Sequence, residues 1–118
     1  MKRTVEIRTL TLKAGARATF QALWDEQVYA LNRRFGTDVV YYGPSSHDSD
    51  TYCVIRSYDS LEQRQHSQEV YYSSPEWVRG PRAQIVALIE SEVDAVLELD
   101  MEAVDVLRHS LGRGTLKP

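Results

Sequence analysis

The chain has 118 residues, 42% hydrophobic and 26% charged, with a formal net charge of −3. That composition excludes disorder and collagen-like repeats, and the length suits one domain that buries its own core. A lone cysteine, Cys53, excludes an intrachain disulfide, and a pI near 5.6 argues against a nucleic-acid-binding surface.

Residues Val5 to Leu12 (VEIRTLTL) alternate in polarity and are rich in β-branched side chains, which predicts a strand. Its apolar parity switches midway, from Val5/Ile7 to Leu10/Leu12. A bulge, or a strand end that changes neighbours, would produce such a switch. After Lys13-Ala14-Gly15, the stretch Ala16 to Phe35 places Phe20, Leu23, Trp24, Val28, Leu31 and Phe35 on one helical face. Gly36 stands where a glycine ends such a helix.

Thr37 to Tyr42 (TDVVYY) and Thr51 to Tyr58 (TYCVIRSY) predict two further strands. The polar segment between them, which includes His47-Asp48-Ser49-Asp50, makes them an antiparallel hairpin. Ser60 and Gln63 are spaced as a capping box for a weakly amphipathic helix that runs to Tyr72. Ser74-Pro75-Glu76 starts a second helix, with Trp77, Ile85, Leu88 and Ile89 as its apolar stripe. Gly80-Pro81 falls inside that pattern and predicts a kink or restart. Glu92 to Asp100 (EVDAVLELD) is a fourth strand. Met101, Val104, Leu107 and Leu111 then recur at helical spacing. Gly112-Arg113-Gly114 closes this tail helix, and residues Thr115 to Pro118 are expected to fray.

The order is β-α-β-β-α-β plus a tail, the ferredoxin-like split βαβ arrangement of the α+β class. It gives a four-stranded antiparallel sheet with helices on one face. Residues 1–100 form this domain, and 101–118 an amphipathic tail. The uncovered sheet face calls for a partner sheet, hence a symmetric homodimer. No apolar run is long enough to span a bilayer, and Met1-Lys2-Arg3-Thr4 leads into alternating charge without a signal-like apolar stretch. A cytoplasmic protein with no membrane and no nucleic-acid partner is the expectation.

Three blocks of this sequence resemble the NIPSNAP family. VEIRTLTLKAGARATFQALWDE is similar to that family's opening pattern, Tyr58-Asp59-Ser60-Leu61-Glu62-Gln63-Arg64 to its "Y-x-S-L-x-x-R" segment, and Ser74-Pro75-Glu76-Trp77 to its "DPEW". In order and spacing they span roughly Val5 to Leu99. The resemblance implies two ferredoxin-like subunits packed sheet to sheet, the dimeric α/β barrel. Superfamily relatives include cofactor-independent monooxygenases, isomerases, haem-degrading enzymes and plain binding modules, so fold analogy assigns no reaction. The chain departs from the family where a third-strand His and Trp are replaced by Val54 and Arg56, and no role of that His carries over. Gly80-Pro81 also interrupts a helix that the family keeps continuous.

Parity organises the candidate chemistry. If Val5/Ile7, Cys53/Ile55 and Leu97/Leu99 face the helices, then Glu6, Arg8, Arg56 and Glu98 share the opposite face with Tyr52, Tyr58 and Val96. That face would line the barrel interior. Buried charge needs a partner, so these arginines either pair with Glu6 and Glu98 or hold an anionic ligand. Arginine dominates the cations, with only Lys2, Lys13 and Lys117 as lysines, and arginine suits partly buried bidentate pairing.

The remaining polar residues carry less. His47-Asp48-Ser49-Asp50 matches neither a zinc nor a calcium pattern, His66 on a polar helix face and His109 in the tail are expected to be solvated, and Cys53 is an ordinary small hydrophobe. Tyr41 and Tyr42 point to opposite faces. No phosphate loop, nucleophile elbow or CxxC is present, so neither metal nor organic cofactor is expected. Three functions remain open. The chain is a homodimeric binder of a small acidic aromatic or polyketide-like molecule; or an enzyme without cofactor, with Arg8, Arg56 and Tyr58 giving electrostatic and acid support; or a structural partner protein that uses its tail helix.

Overall fold

Strand β1 (Lys2–Leu12) lies between β3 (Thr51–Tyr58) and β4 (Ile89–Asp100), and β2 (Asp38–Pro44) pairs with the far edge of β3. All pairings are antiparallel, in the order β2-β3-β1-β4. The structure is a computed structural model and describes residues 1–112. It has the expected ferredoxin-like α+β fold. The expected fraying of Thr115 to Pro118 lies outside the described residues.

The first helix runs as α1 (Arg17–Leu23), one wide turn over Trp24–Val28 and α2 (Tyr29–Arg34). In the wide turn the Tyr29 amide reaches back five residues to the Trp24 carbonyl, a π-bulge. Phe20, Leu23, Trp24, Val28 and Leu31 are buried against the sheet, as their spacing predicts. Gly36 follows at φ 77°, the left-handed position that suits glycine.

Helix α3 (Leu61–Ser73) starts at Ser60, whose hydroxyl accepts from the Gln63 amide at 3.0 Å. The Gln63 side chain accepts from the Asp59 amide, a close variant of the capping box. Ser74 caps α4 (Pro75–Val78) through the Trp77 amide. The chain then breaks at Gly80-Pro81 and restarts as α5 (Arg82–Leu88), as the proline predicts.

The apolar switch in β1 comes from two covers, not from a bulge. Pairing of β1 with β3 is regular throughout, and its register with β4 shifts only at Thr11/Leu12. Leu10 and Leu12 join Tyr52, Val54, Phe20, Trp24, Tyr71 and Trp77 in the main core beneath α1 to α5. Val5, Val40 and Ile55 face the other way and are buried by Val104 of α6 (Met101–Leu111). Helix α6 thus lies on the face opposite α1 to α5. It is fastened there by Arg108, whose two terminal nitrogens donate to the two Asp38 carboxylate oxygens at 2.9 Å each. Gly112, at φ 80°, ends it.

Candidate functional site

The expectation that Glu6, Arg8 and Arg56 face away from the helices is overturned. Val5, Ile7, Cys53, Ile55 and Leu99 occupy the face that α6 partly covers, and the charged parity lies beneath α2 and α3. Both faces of β1 carry apolar residues, and α6 covers one of them, so apolar parity alone does not mark the side that α1 to α5 take.

Glu6 is the centre of the buried polar cluster. It sits directly opposite Arg56 in the β1–β3 register and is fully buried. Arg56 donates from Nη2 to Glu6 Oε1 at 2.7 Å and from Nε at 3.1 Å. The second oxygen, Oε2, accepts from Arg64 Nη2 at 2.6 Å and Nε at 2.9 Å, and from Gln68 Nε2 at 2.6 Å. Arg8 Nη2 approaches the same oxygen at 3.7 Å. Gln68 also donates to the Tyr58 hydroxyl at 3.3 Å. Arg56 Nη1 reaches the side-chain oxygen of buried Asn32 at 3.4 Å, and Asn32 Nδ2 donates to the Val28 carbonyl one turn back. Every polar atom of the carboxylate is thereby satisfied, which such burial demands.

Burial alone would push the Glu6 carboxyl up. The Arg56 and Arg8 guanidiniums, with the hydrogen bonds from Gln68 and Arg56, outweigh it and hold the carboxyl at about 2. Burial pushes the Tyr58 phenol up, with Arg56 and Gln68 opposing only in part. Glu6 is therefore a fixed anion, and Tyr58 a fixed neutral phenol, at physiological pH.

Beside this cluster a half-open cavity of about 380 Å3 enters between α3, α4, α5 and the β1/β4 edge. It is lined by Arg8, Leu10, Tyr72, Trp77, Arg82 and Ile85, with Glu92 on the strand side. Small-molecule sites have this size and this mix of apolar wall with few polar groups. Arg8 joins cavity to cluster. Its Nε and Nη2 take the two Asp94 oxygens at 3.0 and 3.1 Å, and Nη1 donates to the Tyr72 hydroxyl at 3.0 Å. The Tyr72 and Trp77 rings meet edge to face, with centroids 5.4 Å apart.

Glu6, Arg8, Arg56 and Tyr58 thus come together as the sequence suggested, although on the other side of the sheet. Tyr52 stands apart in the main core, its ring against Phe20 and its hydroxyl on Gln21. Glu98 is exposed opposite Thr4 and joins neither arginine; Asp94 and Glu92 take that place. Arg64, Gln68, Asn32, Tyr72 and Arg82 were missed. Arg64, Gln68 and Tyr71/Tyr72 lie four, then three or four, residues apart, a polar helical stripe that a search for apolar periodicity passes over. Trp77 was assigned to the core alone, yet it also forms cavity wall. Among the described residues no group of His, Cys, Asp or Glu is arranged to hold a metal ion, and no helix is long and apolar enough to cross a membrane.

A family model for NIPSNAP matches residues 5–99, most of the chain. The chain belongs to the NIPSNAP family. No curated protein matches it. Its fold is similar to that of a NIPSNAP-like domain protein from Burkholderia xenovorans, with TM-score 0.75 and 21% identity over 84% of this chain and 85% of that one. A NIPSNAP family protein from Agrobacterium tumefaciens gives TM-score 0.76 at 18% identity, covering 84% of this chain and 87% of that one. A proposed antibiotic biosynthesis monooxygenase from Caulobacter crescentus gives TM-score 0.63 at 14% identity, over 83% of this chain and 90% of that one. At these identities the likeness is one of fold. NIPSNAP membership and the monooxygenase-like fold leave the chemistry to be argued from the cavity itself.

Proposed function

We propose that this NIPSNAP protein is a homodimeric binder of a small acidic aromatic or polyketide-like molecule, held in the cavity between α3, α4, α5 and the sheet. The observation that carries the ligand reading is the composition of that cavity: Tyr72, Trp77, Leu10 and Ile85 offer an apolar and aromatic wall, and Arg8 and Arg82 offer positive charge. A ligand that binds only the folded chain raises its melting temperature with concentration. Carboxylated aromatics such as 2-naphthoate should do so. Val86, half-exposed on the same wall, gives a blocking variant that leaves the core alone. Val86→Trp should abolish the shift; a shift that survives it would place the ligand elsewhere.

Support for the homodimer comes from the open sheet face. There Val104 of α6 joins Val5, Val40 and Ile55 in a buried cluster, with Ile7, Tyr41, Cys53 and Leu99 packed against it only partly buried. Val93 and Leu97 are 72% and 48% exposed, beside half-buried Ile7, Cys53 and Tyr41. Exposed apolar patches of that kind mark interfaces. A second copy laid on it would complete the barrel and should bury more than ~2,000 Å2 in total. A cytoplasmic location fits a chain with one cysteine.

A second reading, an enzyme without cofactor, is favoured by one observation. The Tyr72 hydroxyl accepts a hydrogen bond from Arg8 and stands on the cavity wall, so its own proton remains available to a ligand oxygen. Turnover of a bound probe that is lost in Tyr72→Phe, with binding retained, would establish it.

A further inference from the structure

The charges around the cavity do not cancel. Four guanidiniums, those of Arg8, Arg56, Arg64 and Arg82, stand with three carboxylates, those of Glu6, Glu92 and Asp94. Three of the arginines are committed. Arg56 and Arg64 are spent on the two oxygens of Glu6. Arg8 gives Nε and Nη2 to Asp94 and Nη1 to Tyr72, with Glu92 a further 3.4 Å from its Nε. Arg82 lines the same cavity, and its guanidinium has no hydrogen-bonding or ion-pairing partner among the described residues.

We infer that the ligand of this cavity carries a single negative charge beside a flat apolar body, and that Arg82, not Arg8 or Arg56, holds that charge. The inference rests on the reading of the cavity as a ligand site. A guanidinium presents paired donors that match a carboxylate. One carboxylate on Arg82 brings the surroundings to neutrality. A second would face Glu92 and Asp94, which already occupy Arg8, and like charges repel strongly in a partly enclosed site. A neutral ligand would cover Arg82 without pairing it and lose the hydration of that charge. The perpendicular Tyr72 and Trp77 rings give a flat body one face and one edge to pack on.

The test uses three probes of one shape and different charge: 2-naphthol, 2-naphthoate and naphthalene-2,6-dicarboxylate, titrated calorimetrically at pH 7 into the full chain. The monoanion should bind at least tenfold more tightly than either the neutral or the dianionic probe. Arg82 is exposed, so Arg82→Gln should fold normally, which circular dichroism checks. In that variant the monoanion should fall to the affinity of 2-naphthol, and 2-naphthol itself should be unchanged. Equal binding of all three probes, tightest binding by the dianion, or a preference that survives Arg82→Gln would overturn the inference and leave the cavity reading standing. Failure of all three probes to bind would overturn the cavity reading, and this inference with it.

Discussion

Glu6 and Arg56 face each other across β1 and β3 as direct register partners, 2.7 Å apart at their closest, and both are buried beneath α2 and α3. A buried pair of this kind contributes little over an apolar replacement of the same shape, but breaking it is costly because the remaining charge is stranded. The sheet holds the two in register, and α3 supplies the other donors. Glu6 therefore links strand, strand and helix at the edge of the cavity.

Arg56→Met should destabilise the fold by about 3–5 kcal/mol, since it leaves the Glu6 carboxylate with fewer donors in a dry site. Urea unfolding measures this. The double variant Glu6→Gln/Arg56→Met should lose less than the two single variants added together, because the pair is coupled. Simple additivity would mean that the two residues do not act as one unit.

The same carboxylate should make stability depend on pH. Its pKa is about 2 in the folded chain against an ordinary value of 4.5. As pH falls, the unfolded chain takes up the proton first, so unfolding is favoured. The contribution is complete above the ordinary value of 4.5 and falls away towards pH 2. It amounts to about 3 kcal/mol, because each pH unit that separates the folded from the unfolded value is worth about 1.4 kcal/mol. Asp38, which burial would raise but which the Arg108 and Ser57 hydrogen bonds hold down, acts in the same direction. Glu6→Gln separates the two: its stability between about pH 3 and 6 should slope less than that of the wild type. Parallel slopes would show that Glu6 is not the source.

The strands, helices and their order were legible because α1, α2, β3 and β4 carry clear periodicity, and because Gly36, Ser60, Ser74 and Gly80-Pro81 mark the boundaries. The facing of the sheet was not. Alternation tells which residues of a strand share a side but not which side the helices cover, and β1 is apolar on both. Helix α3 hid the site for a related reason. Arg64, Gln68, Tyr71 and Tyr72 form its inward stripe because it covers Glu6, so the helix lacks the apolar face that periodicity detects. Arg82 carries no signal in the sequence, because a guanidinium that lines a cavity without a partner is visible only in three dimensions.

Trp24 tests the placement of the first helix. It is 5% exposed and stacked on Tyr42, with centroids 4.8 Å apart. Trp24→Ala should cost about 3–5 kcal/mol, the usual range for deleting a large aromatic from a core. Denaturant unfolding with an unchanged m-value would give the number cleanly. A loss under about 1 kcal/mol would be the behaviour of a surface residue and would contradict the packing.

Leu97 tests the open face. Its side chain lies in the exposed group beside α6, 48% accessible in the single chain. Replacing it by aspartate places the charge in water if the chain is monomeric, so the fold of one chain should hold and its melting temperature at high dilution should change little. In a sheet-to-sheet dimer the same aspartate would be buried against a partner surface with no charge to meet it, a penalty of several kcal/mol for each ion. Two-fold symmetry enters that penalty twice, once from each copy. Light scattering at micromolar concentration should therefore give a dimer for the wild type and a monomer for Leu97→Asp. A wild-type monomer would remove the proposed barrel, and a Leu97→Asp dimer would move the interface away from this face.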